Sequence, residues 1–189
     1  MGVIEFYNKK LEEFKDGPKA VSWNSKASQE LRFGVLCEIG SLKGKKILDF
    51  GCGLGDLCEF LKSYEILGYV GYDINFNMIK AAKKKYPKAV FTSEIGKVFG
   101  EYDYILASGV FNLENADWEE DTYRIIKVLF DICKKGLGIN FLSSLAENKD
   151  LICHYVDPVR MLEFVRSLTP RFVLRHDYKV NDFTVYFYK

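Results

Sequence analysis

The sequence has few of the residues that build metal centres or disulfide frameworks. It contains only two histidines and five cysteines, and no two cysteines have the Cys-x-x-Cys spacing of a zinc site. We therefore expect neither a metal site nor a disulfide framework, and we interpret the cysteines as reduced thiols.

Long apolar runs and blocks of like charge are absent too. No apolar stretch approaches the roughly 18 residues that a membrane-spanning helix needs, and the first residues lack the apolar stretch of a signal peptide. Phe6 stands where N-myristoylation requires Ser or Thr. The formal net charge is +1 and the basic residues are scattered. We expect a cytoplasmic protein with no membrane partner and no nucleic-acid partner. No feature of the sequence indicates an oligomeric state.

The chain does have enough apolar sequence for one substantial core. Its 189 residues, of which 48% are hydrophobic, predict a single domain over residues 1–189. Two helices are expected first, covering one face or mouth of the remaining domain. The first is indicated by apolar residues at helical spacing and ends at Gly17 and Pro18. The second begins at Asn24 or Ser25 and ends at Gly40.

From residue 45 onward the apolar pattern alternates between strand and helix. The predicted strands occupy Lys46–Phe50, Gly68–Tyr72, 89–92, Tyr102–Ser108, 136–142, 171–178 and 183–188. The predicted helices occupy 56–64, 75–86, 117–134 and Pro158–Leu168. Only about ten residues separate the third and fourth strands, so we expect one helical turn or a loop there. Residues 179–182 join the last two strands so closely that these must form an antiparallel hairpin.

The strongest local signal is a glycine-rich turn after the first predicted strand. Gly51, Gly53 and Gly55 lead from that strand into a helix, an arrangement that lets a ligand approach the backbone at a helix N-terminus. A dinucleotide fingerprint would need glycine at position 56, where the chain has Asp56. Because an acid there repels pyrophosphate, the turn is a poor site for NAD.

Two further acids indicate a ligand with a positive group and a ribose. Asp49 precedes the first glycine and suits an ammonium group rather than a phosphate. Asp73 ends the second strand, where a carboxylate accepts hydrogen bonds from both ribose hydroxyls. The alternative for Asp73 is a helix N-cap.

Together, Asp49-x-Gly51-x-Gly53-x-Gly55 and Gly71-Tyr72-Asp73 resemble the first two motifs of class I, Rossmann-like S-adenosylmethionine-dependent methyltransferases. The resemblance covers residues 24–189. It implies a doubly wound, mostly parallel seven-stranded α/β sheet of order 3-2-1-4-5-7-6, with an antiparallel C-terminal strand and three α/β/α layers. It also implies S-adenosylmethionine as cofactor, S-adenosylhomocysteine as product, and a cofactor site that residues 1–44 cap.

The resemblance implies a role for particular residues. Asp49 and Gly51 would contact the methionine end, Asp73 the ribose and Ile74 one face of the adenine. Glu94 would lie near the adenine amine, although Asp is commoner there. The full set of expected cofactor-binding residues is Trp23, Arg32, Asp49, Gly51, Cys52, Gly53, Asp73, Ile74, Glu94, Ile95 and Ser108.

Two members of this set have alternative interpretations. Arg32 would pair with the cofactor carboxylate or lie solvated on its helix. Trp23 would belong to a lid or to the core.

The expected acceptor is a small molecule that receives the methyl group by in-line displacement. Asn112 comes after the fourth strand, and His154 and Tyr155 come after the fifth, so these three are the candidate catalytic residues. His154 has a purely structural role as its alternative. Two other functions stay open: a catalytically silent S-adenosylmethionine-binding protein and a nicotinamide-dependent oxidoreductase.

Overall fold

A mixed seven-stranded sheet forms the centre of the protein, in a computed structural model that describes residues 2–189. The strands are β1 (Lys46–Phe50), β2 (Gly68–Tyr72), β3 (Val90–Thr92), β4 (Tyr102–Ser108), β5 (Cys133–Leu142), β6 (Phe172–Arg175) and β7 (Asp182–Tyr188). Their order is β3-β2-β1-β4-β5-β7-β6. The first five run parallel, whereas β7 pairs antiparallel with both β5 and β6. The predicted fold class, strand order and closing hairpin are confirmed.

Helices cover both faces of the sheet. They are α1 (Val3–Phe14), α2 (Lys26–Cys37), α3 (Asp56–Phe60), α4 (Phe76–Lys85), α5 (Trp118–Ile132) and α6 (Pro158–Leu168). Neighbouring residues of one strand face opposite sides, and both sides are apolar. Ile47 packs with residues of α2 and α3, whereas Leu48 packs with residues of α5 and α6. A parallel sheet buried on both faces therefore explains the near-continuous apolar strands of the sequence.

Several boundaries differ from the predicted ones. The helix predicted over 117–134 ends at Ile132, and β5 begins at Cys133, three residues before the predicted start. Cys133 pairs with Tyr102 of β4, so pairing with the neighbouring strand, and not the helical spacing of the apolar residues, decides where α5 ends. The helix predicted over 56–64 breaks into α3 and a 3₁₀ turn, Leu61–Tyr64.

The predicted short crossing after β3 is confirmed as a single 3₁₀ turn, Ile95–Lys97. The strand predicted over 171–178 is shorter than expected and spans only Phe172–Arg175. There the guanidinium turns back to the Asp177 carboxylate, 2.7 Å from Nε to Oδ1.

The carboxyl ends of β1, β2 and β4 meet at one edge of the sheet, where open α/β sheets place their ligand sites. Helix α1 is fixed beside that edge by amide hydrogen bonds. The Nδ2 atoms of Asn75 and Asn77 lie 3.0 and 3.1 Å from Asn8 Oδ1. The N-terminal helix therefore docks on the start of α4, next to the glycine-rich turn.

Candidate functional site

The glycine-rich turn after β1 has a backbone path that only glycine adopts without strain. Gly51 has φ +76°, and a Cβ atom on it would lie 2.3 Å from Cγ2 of Val110 in the loop after β4. The N–H groups of Gly51 and Cys52 both donate to the carbonyl of Tyr72, at 2.7 and 2.8 Å. The turn is therefore locked to the end of β2, and its glycine lets the loop after β4 approach the backbone closely.

Asp73 holds the glycine-rich turn from the end of β2. Its Oδ2 accepts the Gly53 N–H at 2.9 Å and its Oδ1 accepts the Asn75 N–H at 2.8 Å. The cap of α4 is the neighbouring Asn75, whose Oδ1 accepts from Asn77 N–H at 2.9 Å. Burial raises the pKa of Asp73, while the two backbone N–H groups lower it. Each oxygen keeps a lone pair for a further donor.

Asp49 is a buried carboxylate at the base of the same site, 2% exposed. The Tyr69 hydroxyl donates to its Oδ2 at 2.6 Å. Burial raises the pKa of Asp49 to about 7; the Tyr69 hydrogen bond lowers it and the charge of Asp73 raises it. Asp49 is stabilised by a neutral hydroxyl and not by a protein cation. Its carboxylate is therefore well suited to pair with a cationic group of a ligand.

A cavity of about 1420 Å³ opens above these residues. Asp49, Asp73 and the turn from Gly51 to Gly53 lie along one part of it, and Asn112 and Tyr155 line another. Ile74 and Ile95 also line the cavity, with 60% and 51% of their surfaces exposed. Because single small-molecule pockets typically measure about 300–1,000 Å³, the volume accommodates two ligands side by side.

Trp23 and helix α1 contribute further lining residues to the cavity. Trp23 packs directly on Gly109, where a Cβ atom would lie 2.9 Å from the indole Cζ2. Tyr7 and Lys10 of α1 also line the cavity. The pKa of Tyr7 is raised by burial and by the charge of Asp73, so its hydroxyl stays protonated.

The loop after β4 is tethered by a buried asparagine of β5. Asn140 Oδ1 accepts the Gly109 N–H at 2.8 Å, and Asn140 Nδ2 donates to Ser108 Oγ at 3.2 Å. Asn112, farther along this loop, has a buried Oδ1 without a hydrogen-bond partner among the described residues. A buried acceptor without a donor is costly unless a ligand satisfies it.

The structure places Arg32, His154 and Glu94 differently from the sequence-based expectation. Arg32 lines the cavity but is only 5% exposed and forms a bidentate ion pair with Asp182 at the start of β7. Its guanidinium also lies 4.7 Å from the Trp23 ring centroid. It is neither solvated nor free for a ligand carboxylate, because Asp182 takes both its Nε and one Nη.

His154 does not line the cavity. Its ring stacks on Trp118 with centroids 3.7 Å apart, and its Nδ1 lies 2.9 Å from Glu114 Oε2. Glu94 also lies outside the cavity lining, 2.7 Å from Lys97 Nζ. In each case a protein partner holds the side chain: Asp182 holds Arg32, Trp118 and Glu114 hold His154, and Lys97 holds Glu94.

Sequence reasoning missed other residues of the site. Gln29 of α2 is buried and donates to Asp56 Oδ2 at 3.2 Å, and Lys85 Nζ lies 2.7 Å from Asp56 Oδ1. These contacts fix the start of α3 beneath the turn. The helical spacing of the first residues identifies Tyr7 only as an apolar position. Nothing in its local sequence distinguishes a residue that lines a cavity from one that lies in a core.

Among residues 2–189, no group of three or more His, Cys, Asp and Glu side chains is arranged to hold a metal ion. Within the same residues, every helix is too short or too polar to cross a bilayer.

Comparison with known proteins agrees with this geometry. Residues 28–171 match the profile of a family described as a methyltransferase domain. The chain is 29% identical over 128 residues to the ubiquinone biosynthesis O-methyltransferase of Escherichia coli, covering 62% of this chain and 50% of that protein. The chain thus spans about half the length of the curated relatives it matches.

Solved structures share the fold at low sequence identity. Magnesium protoporphyrin IX methyltransferase from Synechocystis PCC 6803, with bound S-adenosylhomocysteine, superimposes with a TM-score of 0.69 at 14% identity, over 99% of this chain and 98% of that one. A chain of the Pnkp1/Rnl/Hen1 RNA repair complex gives a TM-score of 0.67 at 14% identity, over 84% of this chain and 41% of that one.

The matched profile covers most of the chain, and the sheet order and motif turn agree with it. The resemblance seen in the sequence is therefore confirmed: the chain belongs to the methyltransferase domain family, with the fold of the class I S-adenosylmethionine-dependent enzymes.

Proposed function

We propose that the cavity binds S-adenosylmethionine beside a small-molecule acceptor and that the protein transfers the methyl group between them. The observation that carries this proposal is the continuity of the large cavity. It joins the buried carboxylate of Asp49 and the half-buried one of Asp73, at the glycine-rich turn, to an acceptor-side wall where Asn112 Oδ1 has no hydrogen-bond partner among the described residues.

The residues along the turn fit the cofactor. Asp49 suits its ammonium group, and Asp73 keeps lone pairs for the ribose hydroxyls while holding the turn. Ile74 and Ile95 present exposed apolar surface toward the cavity, which an adenine ring would cover. Cys52, Gly53, Ser108 and Trp23 also line this space. Arg32 supports the site through Trp23 rather than by touching the ligand.

Methyl transfer requires the protein mainly to align the acceptor with the methyl group. Bound S-adenosylmethionine supplies an electrophilic methyl group, so the protein must orient the acceptor in line and exclude water. Trp23, Phe111 and helix α1 line the cavity, and their apolar surfaces would take the place of water around the bound ligands. Asn112 Oδ1 accepts a hydrogen bond from the acceptor hydroxyl or amine, which fixes the direction of its lone pair. Tyr155 supplies an aromatic wall, since its hydroxyl already accepts the Asp150 N–H at 2.8 Å.

The alternatives fit the site less well. A nicotinamide cofactor would place pyrophosphate against Asp56 at the start of α3, where the carboxylate already binds Lys85 and Gln29. RNA, the substrate suggested by one structural neighbour, needs a basic surface stripe, whereas this chain has a net charge of +1. A silent binding protein would share the cofactor site and lack turnover, so an activity assay separates it.

The cofactor assignment is tested by calorimetric titration. We expect S-adenosylhomocysteine to bind and NAD not to bind. Asp73→Ala should weaken S-adenosylhomocysteine by about 1.5–3 kcal/mol, because charge-assisted hydrogen bonds to the ribose are lost. Glu94→Ala is the matched control, since Glu94 lies outside the cavity and should leave affinity unchanged. Tighter binding of NAD than of S-adenosylhomocysteine would overturn the assignment.

The acceptor side is tested by Asn112→Ala. With an acceptor found by screening for S-adenosylhomocysteine production, we expect turnover to fall by roughly 10-fold, the effect of losing about 1.5 kcal/mol of orienting hydrogen bond. Affinity for S-adenosylhomocysteine should change little. His154→Ala is the control outside the cavity. Full turnover of Asn112→Ala, or loss of turnover only in His154→Ala, would contradict this placement.

A further inference from the structure

The charged residues that line the cavity are unequally partnered. Every lining aspartate accepts a hydrogen bond from the protein. The donors are Tyr69 for Asp49, Lys85 for Asp56, the Gly53 and Asn75 N–H groups for Asp73, Arg124 for Asp121, and the Ile152 N–H for Asp150. Each negative lining group therefore has at least one protein donor, and two of them, Asp56 and Asp121, already face a protein cation.

The lining lysines differ from the aspartates. No ion pair found within residues 2–189 involves Lys10, Lys19, Lys149 or Lys179, although all four line the cavity. Lys10 and Lys179 are also partly buried. An ammonium group that is partly withdrawn from water and faces no carboxylate favours an anionic ligand.

Lys179 has the most defined surroundings of the four. It lies between β6 and β7, and its Nζ is 3.2 Å from the Ser28 hydroxyl of α2. The same hydroxyl lies 2.6 Å from Arg32 Nη1. Asp182 neutralises Arg32 through its bidentate pair, whereas the ammonium group of Lys179 has no carboxylate partner among residues 2–189.

Aromatic rings lie beside two other lining lysines. Lys10 Nζ lies 5.4 Å from the Phe14 ring centroid, and Lys149 Nζ lies 5.7 Å from that of Tyr155. All of these residues line the cavity, as does the buried Phe111. A ligand with an apolar, ring-shaped body and a negative group matches both the walls and the charges.

We propose that the methyl acceptor is a carboxylate-bearing molecule with an aromatic or otherwise apolar body, and that Lys179 binds its carboxylate. The proposal rests on the methyltransferase function and adds the chemical class of its acceptor. Asn112 and Lys179 then bind two different groups of one molecule. The hydroxyl or amine donates to Asn112 Oδ1, and the carboxylate accepts from Lys179 and from the Ser28 hydroxyl.

The test compares two probes of equal shape, 2-naphthoate and 2-naphthamide, titrated into protein saturated with S-adenosylhomocysteine. Saturation fills the site of the cofactor's own carboxylate, so only the acceptor space remains. We expect 2-naphthoate to bind at least fivefold tighter than 2-naphthamide, with a preference that falls as salt is raised. Lys179→Met should abolish most of that preference, and Lys88→Met, an exposed lysine outside the cavity, should preserve it.

Each other outcome overturns a distinct statement. Equal affinity for the two probes would overturn the anionic acceptor while leaving the methyltransferase function intact. If Lys179→Met weakens S-adenosylhomocysteine severalfold and leaves the probe preference unchanged, the ammonium serves the cofactor's carboxylate and the proposal is wrong. Failure of the wild-type protein to bind S-adenosylhomocysteine would contradict the proposed function itself, and the acceptor class with it.

Discussion

Replacing Asp182 with leucine is expected to destabilise the protein by about 3–5 kcal/mol, because it leaves the guanidinium of Arg32 buried without its partner. The two side chains are 3% and 6% exposed, and Asp182 Oδ1 accepts from Arg32 Nε at 2.9 Å. The pair joins the first helix of the methyltransferase core, α2, to the last strand, β7. Urea denaturation, monitored by circular dichroism, measures the change in the free energy of unfolding.

A double variant separates the lost charge pair from lost packing. Arg32→Met with Asp182→Leu removes both charges and puts apolar side chains of similar branching in their place, so we expect it to be much less destabilised than either single variant. Glu38→Ala breaks an exposed contact to Arg175 and should cost less than about 1 kcal/mol. If the double variant were as unstable as the sum of the single variants, the pair would not be the source of stability at this junction.

The same pair shows why part of the site could not be predicted from sequence. Arg32 and Asp182 lie 150 residues apart, and no local pattern indicates that they meet. The amphipathic pattern of α2 places Arg32 on a helix but leaves its partner open. Similarly, the position of His154 after β5 is predictable, but the stacking of its ring on Trp118 is not. Side-chain direction depends on contacts between distant segments, which sequence spacing does not encode.

More of the sheet than of the side-chain contacts could be predicted, because the sequence patterns that indicate strands are local. Strands buried on both faces are almost continuously apolar, and a short link forces β6 and β7 into a hairpin. The glycine-rich turn and Asp73 are recognisable in the sequence, because the positive φ angles of the turn require glycine and the hydrogen bonds at the end of β2 require a carboxylate. The strand order came from the family resemblance, since pairing between β5 and β7 reflects no local periodicity. That residues of α1 line the cavity could not be predicted from the sequence, because these residues show only helical spacing.

Asp49→Asn is expected to weaken S-adenosylhomocysteine by about 1.5–3 kcal/mol, roughly 10- to 150-fold in affinity. The asparagine keeps an oxygen to accept the Tyr69 hydroxyl, so the local packing is preserved. The substitution removes the negative charge that faces the ammonium group in the proposed complex. Calorimetric titration measures the loss, and Asp150→Asn serves as a control, because Asp150 lies on the acceptor side of the cavity.

The pH dependence of this variant distinguishes the charge of Asp49 from its shape. Burial raises the pKa of Asp49 to about 7, so in the cofactor-free protein the carboxyl is mostly protonated near pH 6 and mostly ionised near pH 8. Wild-type affinity should therefore rise roughly tenfold over that range, whereas Asp49→Asn should show almost no such rise.

The free energy of unfolding should depend on pH in the opposite direction. A pKa raised above the unfolded value of about 3.9 gives stability at low pH that is lost as pH rises through about 7. Above pH 8 the asparagine variant should thus be at least as stable as the wild type, which excludes unfolding as the cause of weak binding. A wild-type affinity that stays constant between pH 6 and pH 8, or falls, would show that Asp49 does not pair with the cofactor's ammonium group.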